Sequence, residues 1–344
     1  MTAILSQKIK NMGILCACLV VSIHSGVPSN PPLSSYWFVR QLIVEGVASI
    51  AVPFFFAVSG FLLARHLGEV SWWQREIAKR IKTLLIPYIM WSLIAALASL
   101  PLSVIADVIA HRPLGTSIYF IHGTNWLTIL GLNLRDYPLN YPLWYVRCLI
   151  VLVLASYFLN LMLTRFKYTW LAGLFLIHLS IGFFQFNGWT TSLGHITCGL
   201  FYFSLGMALW MKERRLNVSL YLTVASGVLW LIMLMTKMYV ACHEGGQIVG
   251  LIGKMAIPFL LYFTWMVIPS SKFPNWITSN AFPIYLMHAI ITGYIKCLLD
   301  LLSLGPMAIS VIRFVGSIVC SCAIALLLNK FFPKSYSFLF GGRK

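Results

Sequence analysis

Charged residues are scarce in this sequence, and acidic residues are the scarcest. Asp, Glu, Lys and Arg make up 10% of the 344 residues, and only 8 residues are acidic. A soluble domain carries roughly 25% charged residues, whereas 60% of this sequence is hydrophobic. A water-soluble fold cannot bury that much apolar surface, so the composition excludes a soluble protein and predicts a polytopic helical membrane protein.

Several signatures of other protein classes are missing. The basic residues that give the net charge of +17 fall in short clusters between apolar runs, which is typical of membrane topology signals rather than of nucleic-acid binding. The eight cysteines lie mostly inside apolar runs without metal-ligand spacing to histidines, so we predict no metal site. No internal repeat is evident, which weakens the case for a transporter built from duplicated halves.

Ten stretches are long and apolar enough to cross a membrane, which takes about 20 residues. They lie at about 11–27, 41–64, 83–103, 143–163, 168–187, 193–211, 217–239, 247–269, 280–301 and 307–329. No small-residue cleavage site follows the first stretch, so we expect it to be retained as a helix. The sequence therefore predicts an all-α membrane protein of about ten transmembrane helices, forming one domain over 1–344.

The distribution of basic residues sets the predicted orientation. With the N-terminus in the cytoplasm, most of the 25 Lys and Arg residues fall on the cytoplasmic side, as the positive-inside rule requires. An even number of spans then places both termini in the cytoplasm. The largest loop, about 104–142, would cover the outer mouth of the bundle, and its segment 117–133 would be a re-entrant or interfacial helix.

Ionisable residues inside the predicted helices cluster at one depth. Counted at about 1.5 Å per residue, six of them lie roughly 6–10 Å below the outer face. They are His24, Glu45, Arg147, Lys254, Lys296 and Arg313. Such groups are costly in a bilayer and usually face a functional interior. His195 begins its helix at a similar or shallower level.

This layer has the residue types needed for acid–base chemistry. A neutral imidazole at His24 can take a proton from a hydroxyl, a carboxylate at Glu45 can orient the ring, and buried cations can stabilise an oxyanion. Simpler roles stay open. Lys and Arg can snorkel to the surface, Glu45 can pair with Arg40 or Arg147, and His24, His288 and His178 can be hydrogen-bonded core histidines.

A second basic cluster lies on the predicted cytoplasmic side, in the run WWQREIAKRIKTLLIPY (72–88). Arg75, Lys79 and Lys82 share one helical face by spacing, and Arg80 lies beside them. Such a run binds either anionic lipid as a topology signal or the phosphates of a cytoplasmic donor.

Five segments together resemble one known family. They are CLVVSIHS (18–25), AVPFFFAVSGFLL (51–63), KRIKTLLIPYIMWSL (79–93), LWYVRCLIVLVL (143–154) and IYLMHAII (284–291). In this order, they resemble the acyltransferase family 3 integral membrane acyltransferases of bacteria. The resemblance covers nearly the whole chain.

The resemblance implies a bundle of ten or so transmembrane helices, an acyl-CoA donor on the cytoplasmic side and no bound cofactor. It implies His24 as the catalytic histidine and Arg80 and Lys82 as donor contacts, with Arg75 nearby. Arg147 falls where the family commonly has a basic residue. The family's arginine ten residues before the histidine is replaced here by Gly13, and Lys10, one helical turn earlier, is a candidate substitute.

The sequence therefore predicts an acyltransferase of the bacterial inner membrane that moves an acyl group, most simply acetyl, to a hydroxyl of a sugar, glycan or related cell-envelope acceptor. His24 and Glu45 are the candidate catalytic residues. Arg147, His288 and Arg313 are candidates for binding the acceptor or the oxyanion. Two alternatives remain, a transporter or flippase of a polar or lipid-linked substrate, and a non-catalytic membrane scaffold or sensor.

Overall fold

The computed structural model describes residues 2–29, 32–69, 71–114, 126–132, 137–181, 190–211, 219–243 and 246–342. These residues are helical or lie in turns, and none of them forms a strand. In chain order the helices are α1 (Ala3–His24), α2 (Ser35–Val39), α3 (Ala51–Ala64), α4 (Trp72–Arg80), α5 (Ile86–Ile109), α6 (Trp126–Ile129), α7 (Trp144–Leu154), α8 (Ser156–Ser180), α9 (Thr190–Met211), α10 (Leu220–His243), α11 (Gln247–Val267), α12 (Asn275–Thr278), α13 (Ala281–Leu299), α14 (Pro306–Phe331) and α15 (Pro333–Leu339).

The all-α membrane fold is confirmed, and the described residues contain slightly fewer than the ten predicted spans. Within the described residues, eight helices can cross a membrane, or nine if the bent pair Tyr141–Ser180 is one span. The difference falls at 143–187. There α7 and α8 meet at 64°, and Lys167 interrupts α8 with φ 50° and ψ −117°. The predicted span 168–187 also runs into residues 182–189, which lie outside the described residues.

The predicted loop 104–142 begins later than expected, because α5 continues to Ile109. Within it the structure describes the short helix α6 and a 3₁₀ turn at Tyr141–Leu143. Most of the segment predicted as re-entrant, 117–133, lies outside the described residues. The loop rejoins the bundle at Gly131, whose carbonyl accepts hydrogen bonds from Tyr88 at 2.8 Å and from Arg147 at 2.8 Å.

The closest helix pair, α3 and α9, depends on two glycines. A Cβ at Gly60 would overlap the backbone carbonyl of Phe203, and a Cβ at Gly206 would overlap that of Ala57. Small residues let helix backbones approach closely in a membrane, where packing replaces the hydrophobic effect as the main attraction. This contact anchors α3, which follows the segment carrying Glu45, against the centre of the bundle.

A π-helical turn joins α4 to α5 at Ile81–Leu85. Pro87 explains it, because proline has no N–H for the Thr83 carbonyl and its ring clashes with that carbonyl. Wide turns of this kind are frequent at functional sites. Lys82 lies within the turn. The C-terminal turn packs against this π-helical turn. A Cβ at Gly341 (φ +69°) would overlap the backbone of Thr83.

The two ends of α1 define two ends of the bundle. At the Lys8 end, Lys8 donates to the Trp265 carbonyl at 3.0 Å, just before the end of α11. At the His24 end, Arg313 donates to the His24 carbonyl at 3.1 Å. From Arg313, α14 runs away to Phe331, and the C-terminal turn that follows it reaches Thr83. The basic run and its π-helical turn therefore lie at the Lys8 end.

Because α3 and α9 are in close contact, a methyl group added at their interface should destabilise the protein, whereas one added elsewhere should not. Gly206→Ala should lower the unfolding temperature, because the new methyl overlaps the Ala57 carbonyl and overpacking costs about 1–3 kcal/mol. Gly173→Ala in α8 is the matched control, since no atom lies within 4 Å of its added Cβ. Thermal unfolding in lipid nanodiscs measures both variants. Equal unfolding temperatures would contradict the glycine-mediated contact.

Candidate active site at the end of α1

His24, the last residue of α1, is half-buried among other aromatic side chains. The centroid of its imidazole lies 5.2 Å from that of His288 in α13 and 5.3 Å from that of Tyr141. The structure therefore brings together two histidines that the sequence pointed to separately. Tyr141 was missed, because an aromatic residue before a predicted span is usual and carries no distinctive signal.

His288 presents one unpartnered nitrogen. The residue is fully buried, and its Nδ1 lies 3.1 Å from the Ile284 carbonyl oxygen and 2.8 Å from that of Tyr285. Carbonyl oxygens only accept, so Nδ1 carries the proton and Nε2 keeps its lone pair. Nε2 is buried and has no hydrogen-bond partner among the described residues. A buried acceptor beside His24 is suited to a substrate hydroxyl.

Arg313 closes the other side of the cluster. Its Nη2 donates to the His24 carbonyl at 3.1 Å, and its Nη1 occupies the space where a Cβ of residue 26 would stand. Gly26 satisfies both demands, since it has no Cβ and its φ of +85° strains other residues. The turn after α1 thus folds beneath a guanidinium, and Arg313 joins the cluster as the predicted layer required.

A row of rings extends the cluster across the bundle. Tyr141 lies 4.2 Å from Tyr137 between ring centroids, and Tyr137 lies 5.4 Å from His195 in α9. His195 in turn stacks on Trp144 of α7 at 3.7 Å with 15° between the ring planes. Three ring-to-ring steps therefore connect His24 with His195, the other histidine expected at this level.

Glu45 pairs with cations rather than with His24. Its carboxylate lies 3.1 Å from Nε of Arg40 and 3.3 Å from Nζ of Lys237. Lys237 also donates to the Glu45 carbonyl at 3.3 Å. The alternative in which Glu45 pairs with Arg40 is thus what the structure contains. A role for Glu45 in orienting the His24 ring has no contact to support it among the described residues.

Lys237 is the residue of this network that sequence reasoning overlooked. It lies within a predicted span, and its side chain is 8% exposed. The same signal that drew attention to Glu45, a charge inside an apolar helix, could have found it. The pair ties α10 to the π-helical turn Arg40–Val44, which immediately precedes Glu45.

The other cations of the predicted layer are spread apart. Arg147 donates to the Gly131 carbonyl and so holds the loop between α5 and α7. Lys254 donates to the His178 carbonyl at 2.8 Å. Lys296 is exposed and pairs with Asp300 at 3.0 Å, as expected of a lysine that snorkels to the surface.

At the Lys8 end, the basic run is organised around one buried carboxylate. Glu76 is 4% exposed and faces Lys79 at 3.5 Å, Arg80 at 3.3 Å and His66 at 3.6 Å. Arg75 pairs instead with Glu69 at 2.7 Å. A hydrogen bond from His66, followed by the charge of Arg75, lowers the pKa of Glu69.

The remaining cations of this end point toward solvent. Lys82 and Lys10 are exposed, and neither forms an ion pair with a described residue. Lys10 lies one helical turn before Gly13, whose added Cβ would meet no atom within 4 Å. Both side chains are therefore free to meet an anionic ligand at the Lys8 end.

The family assignment rests on a match over most of the chain. The acyltransferase 3 family model, described as an acyltransferase domain, matches residues 9–329. The chain belongs to this acyltransferase family. The match includes His24, His288, Arg313 and the basic run. It confirms the resemblance, and the class of enzyme predicted from the sequence is the class of this family.

One curated relative is similar to this acyltransferase over about half of the chain. The succinoglycan biosynthesis protein ExoH of Rhizobium meliloti (strain 1021) is 28% identical over 180 residues, which cover 48% of this chain. The aligned region spans 45% of the relative's length. No solved structure matches the acyltransferase chain.

We predict that the Glu45–Lys237 pair stabilises the fold and takes no part in the chemistry. Glu45→Gln should destabilise the protein by about 1–3 kcal/mol, because it leaves a nearly buried ammonium without its carboxylate. The double variant Glu45→Gln/Lys237→Met should regain both stability and acyl transfer, as measured by unfolding temperature and by an acyltransferase assay. A stable but inactive double variant would instead show that Glu45 takes part in the chemistry.

Proposed function

We propose that the protein is an O-acyltransferase of the bacterial inner membrane, with both termini in the cytoplasm. It transfers an acyl group, most simply acetyl from acetyl-CoA, to a hydroxyl of a sugar, glycan or related envelope acceptor. The observation that carries the proposal is the cluster of His24, His288 and Arg313 at the His24 end. The relative named for succinoglycan biosynthesis supports a polysaccharide acceptor.

The proposed reaction is a direct transfer of the acyl group from the sulfur of CoA to the oxygen of the acceptor hydroxyl. His24 takes the proton of the acceptor hydroxyl as the oxygen attacks the thioester carbonyl. The tetrahedral intermediate then collapses, the C–S bond breaks and the CoA sulfur leaves with the proton held by the imidazolium. An ester and free CoA result, so protons and electrons balance without a further reactant.

The neighbours of His24 have distinct tasks in this proposal. The Arg313 guanidinium, fixed on the His24 carbonyl, lies where it can stabilise the oxyanion of the intermediate. The lone pair of His288 Nε2 accepts a hydrogen bond from the bound acceptor and holds it beside His24. Arg147 acts indirectly, because it anchors the loop at Gly131. Glu45 braces the segment ahead of α3 rather than orienting the histidine.

The donor enters from the Lys8 end. Lys82 and Arg80 would bind the phosphates of CoA, since Lys and Arg are the usual phosphate ligands, and Lys10 and Arg75 add positive charge nearby. From Lys8 to His24, α1 rises by about 24 Å at 1.5 Å per residue. The nucleotide can therefore remain at the Lys8 end while the extended pantetheine arm carries the acyl group toward His24.

Removing the proposed base should abolish turnover. With acetyl-CoA and a candidate polysaccharide acceptor, His24→Ala in lipid nanodiscs should release CoA at least 100-fold more slowly than the wild type, the scale expected for loss of a general base. Free CoA is measured with a thiol reagent. His243→Ala is the control, because His243 is an exposed histidine at the end of α10.

Unchanged CoA release in a folded His24→Ala variant would remove His24 from the mechanism. Movement of the acceptor across the membrane without CoA release would favour a transporter instead. Binding of CoA measured separately distinguishes a lost base from a lost donor site.

If the basic run binds the donor, substitutions in it should change the KM for acetyl-CoA rather than kcat. Lys82→Ala should raise the KM for acetyl-CoA by roughly 3- to 10-fold, as expected for one lost charge-assisted contact of about 1 kcal/mol, and Lys82→Arg should restore most of it. Lys330→Ala removes an equal charge from the end of α14 and should leave KM unchanged. Steady-state kinetics at fixed acceptor concentration test this prediction. Equal effects of Lys82→Ala and Lys330→Ala would show that the basic run acts only as a topology signal.

A further inference from the structure

A largely apolar cavity with a few polar groups lies beyond the proposed catalytic cluster, at the far end of the row of rings. It has a volume of about 400 Å³ and is lined by Trp144, His178, His195 and Lys254, together with Ser49 and apolar residues. Ligand sites typically enclose about 300–1,000 Å³ with a few polar groups on apolar walls. The described walls contain no Asp or Glu, so their charge is positive.

Lys254 gives the cavity its charge. Its Nζ donates to the His178 carbonyl at 2.8 Å, and it forms no ion pair with any described residue. A carbonyl dipole orients an ammonium but leaves its charge uncompensated. A charged group at this depth is costly without an opposite charge, and an anionic ligand would supply one.

The two histidines offer complementary groups for hydroxyls. Thr197 donates to the Gly194 carbonyl at 3.2 Å, so it accepts from His178 Nδ1, which lies 3.3 Å away. His178 Nε2 therefore keeps its lone pair and can accept from a hydroxyl. The ring nitrogens of His195 have no hydrogen-bond partner among the described residues, although its ring is held against Trp144.

One lysine, two hydroxyl-binding imidazoles and an aromatic wall fit a particular ligand class. A single ammonium matches a single negative charge such as a carboxylate. Imidazole nitrogens and an indole suit the hydroxyls and carbon face of a sugar ring. We propose that this cavity binds an acidic sugar residue of the acceptor, with its carboxylate on Lys254.

The acidic-sugar site extends the proposed function. It rests on that function only in that the sugar is taken to be part of the acceptor. The ring row Tyr137–Tyr141 leads from the cavity to His24, so a neighbouring residue of the same glycan would present its hydroxyl to the base. Lys254 and the two histidines then determine which acceptor is used, while His24 determines whether transfer occurs.

Binding without CoA tests the site independently of catalysis. Saturation-transfer NMR on protein in nanodiscs of neutral lipid should detect methyl glucuronide, and methyl glucoside should bind about tenfold more weakly, since a charge-assisted contact contributes at least about 1.4 kcal/mol. Lys254→Met should weaken methyl glucuronide binding by a similar factor and leave methyl glucoside binding unchanged. Lys296→Met is the control, because that lysine is exposed and paired with Asp300.

The outcomes separate the two proposals. Equal binding of glucuronide and glucoside, or glucuronide binding that Lys254→Met does not alter, would overturn the acidic-sugar site even if CoA release depends on His24. Displacement of glucuronide by inorganic phosphate or by anionic lipid at lower concentration would reassign the cavity to phosphate. If Lys254→Met fails to fold, Lys254→Gln and the folded His195→Ala variant carry the same test, with weakened glucuronide binding expected for both.

Discussion

The end of α1 depends on the hydrogen bond from Arg313 to the His24 carbonyl. The last carbonyls of a helix have no partner within the helix, and inside a membrane they must find one in the protein. Arg313 supplies that partner at 3.1 Å, and its guanidinium fills the space that only a glycine at position 26 leaves open. The side chain that satisfies the helix end also places a positive charge beside the imidazole, so the stability of the helix end and the proposed chemistry depend on one contact.

The same solution recurs at three other cations of the bundle. Lys8, Arg147 and Lys254 each donate to a backbone carbonyl, as Arg313 does. The composition explains this, because 25 basic residues share 8 acidic ones and carboxylates are too few to pair with them. A carbonyl satisfies hydrogen bonds but leaves the net charge in place. The interior therefore keeps a positive potential, which would favour the oxyanion of the proposed reaction and the proposed acidic sugar.

The sequence predicted most of this architecture because apolar length is a strong signal. His24 stood out for the same reason, as an ionisable group in an apolar run that matched a family motif. Hydropathy does not report the 64° bend between α7 and α8, which lies inside the predicted span 143–163, whereas the interruption at Lys167 falls between the predicted spans 143–163 and 168–187. Glu45 pairs with Arg40, one of the two alternatives that the sequence left open, because depth along two helices does not fix the direction of a side chain and a local turn brings Arg40 closer.

The separation between the two ends of α1 constrains any acyl-transfer mechanism on this scaffold. The phosphates of CoA are too costly to bring into the bundle, whereas an acyl group on a neutral arm is not. In the proposed reaction, the thioester must also meet the acceptor hydroxyl before it meets water, because hydrolysis would release the same CoA without product. The proposed base His24, half-buried and enclosed by His288, Tyr141 and Arg313, would meet that requirement better than an exposed one. The buried lone pair of His288 Nε2 supports the proposed glycan acceptor, since a bound and positioned hydroxyl would supply the hydrogen bond that this nitrogen lacks.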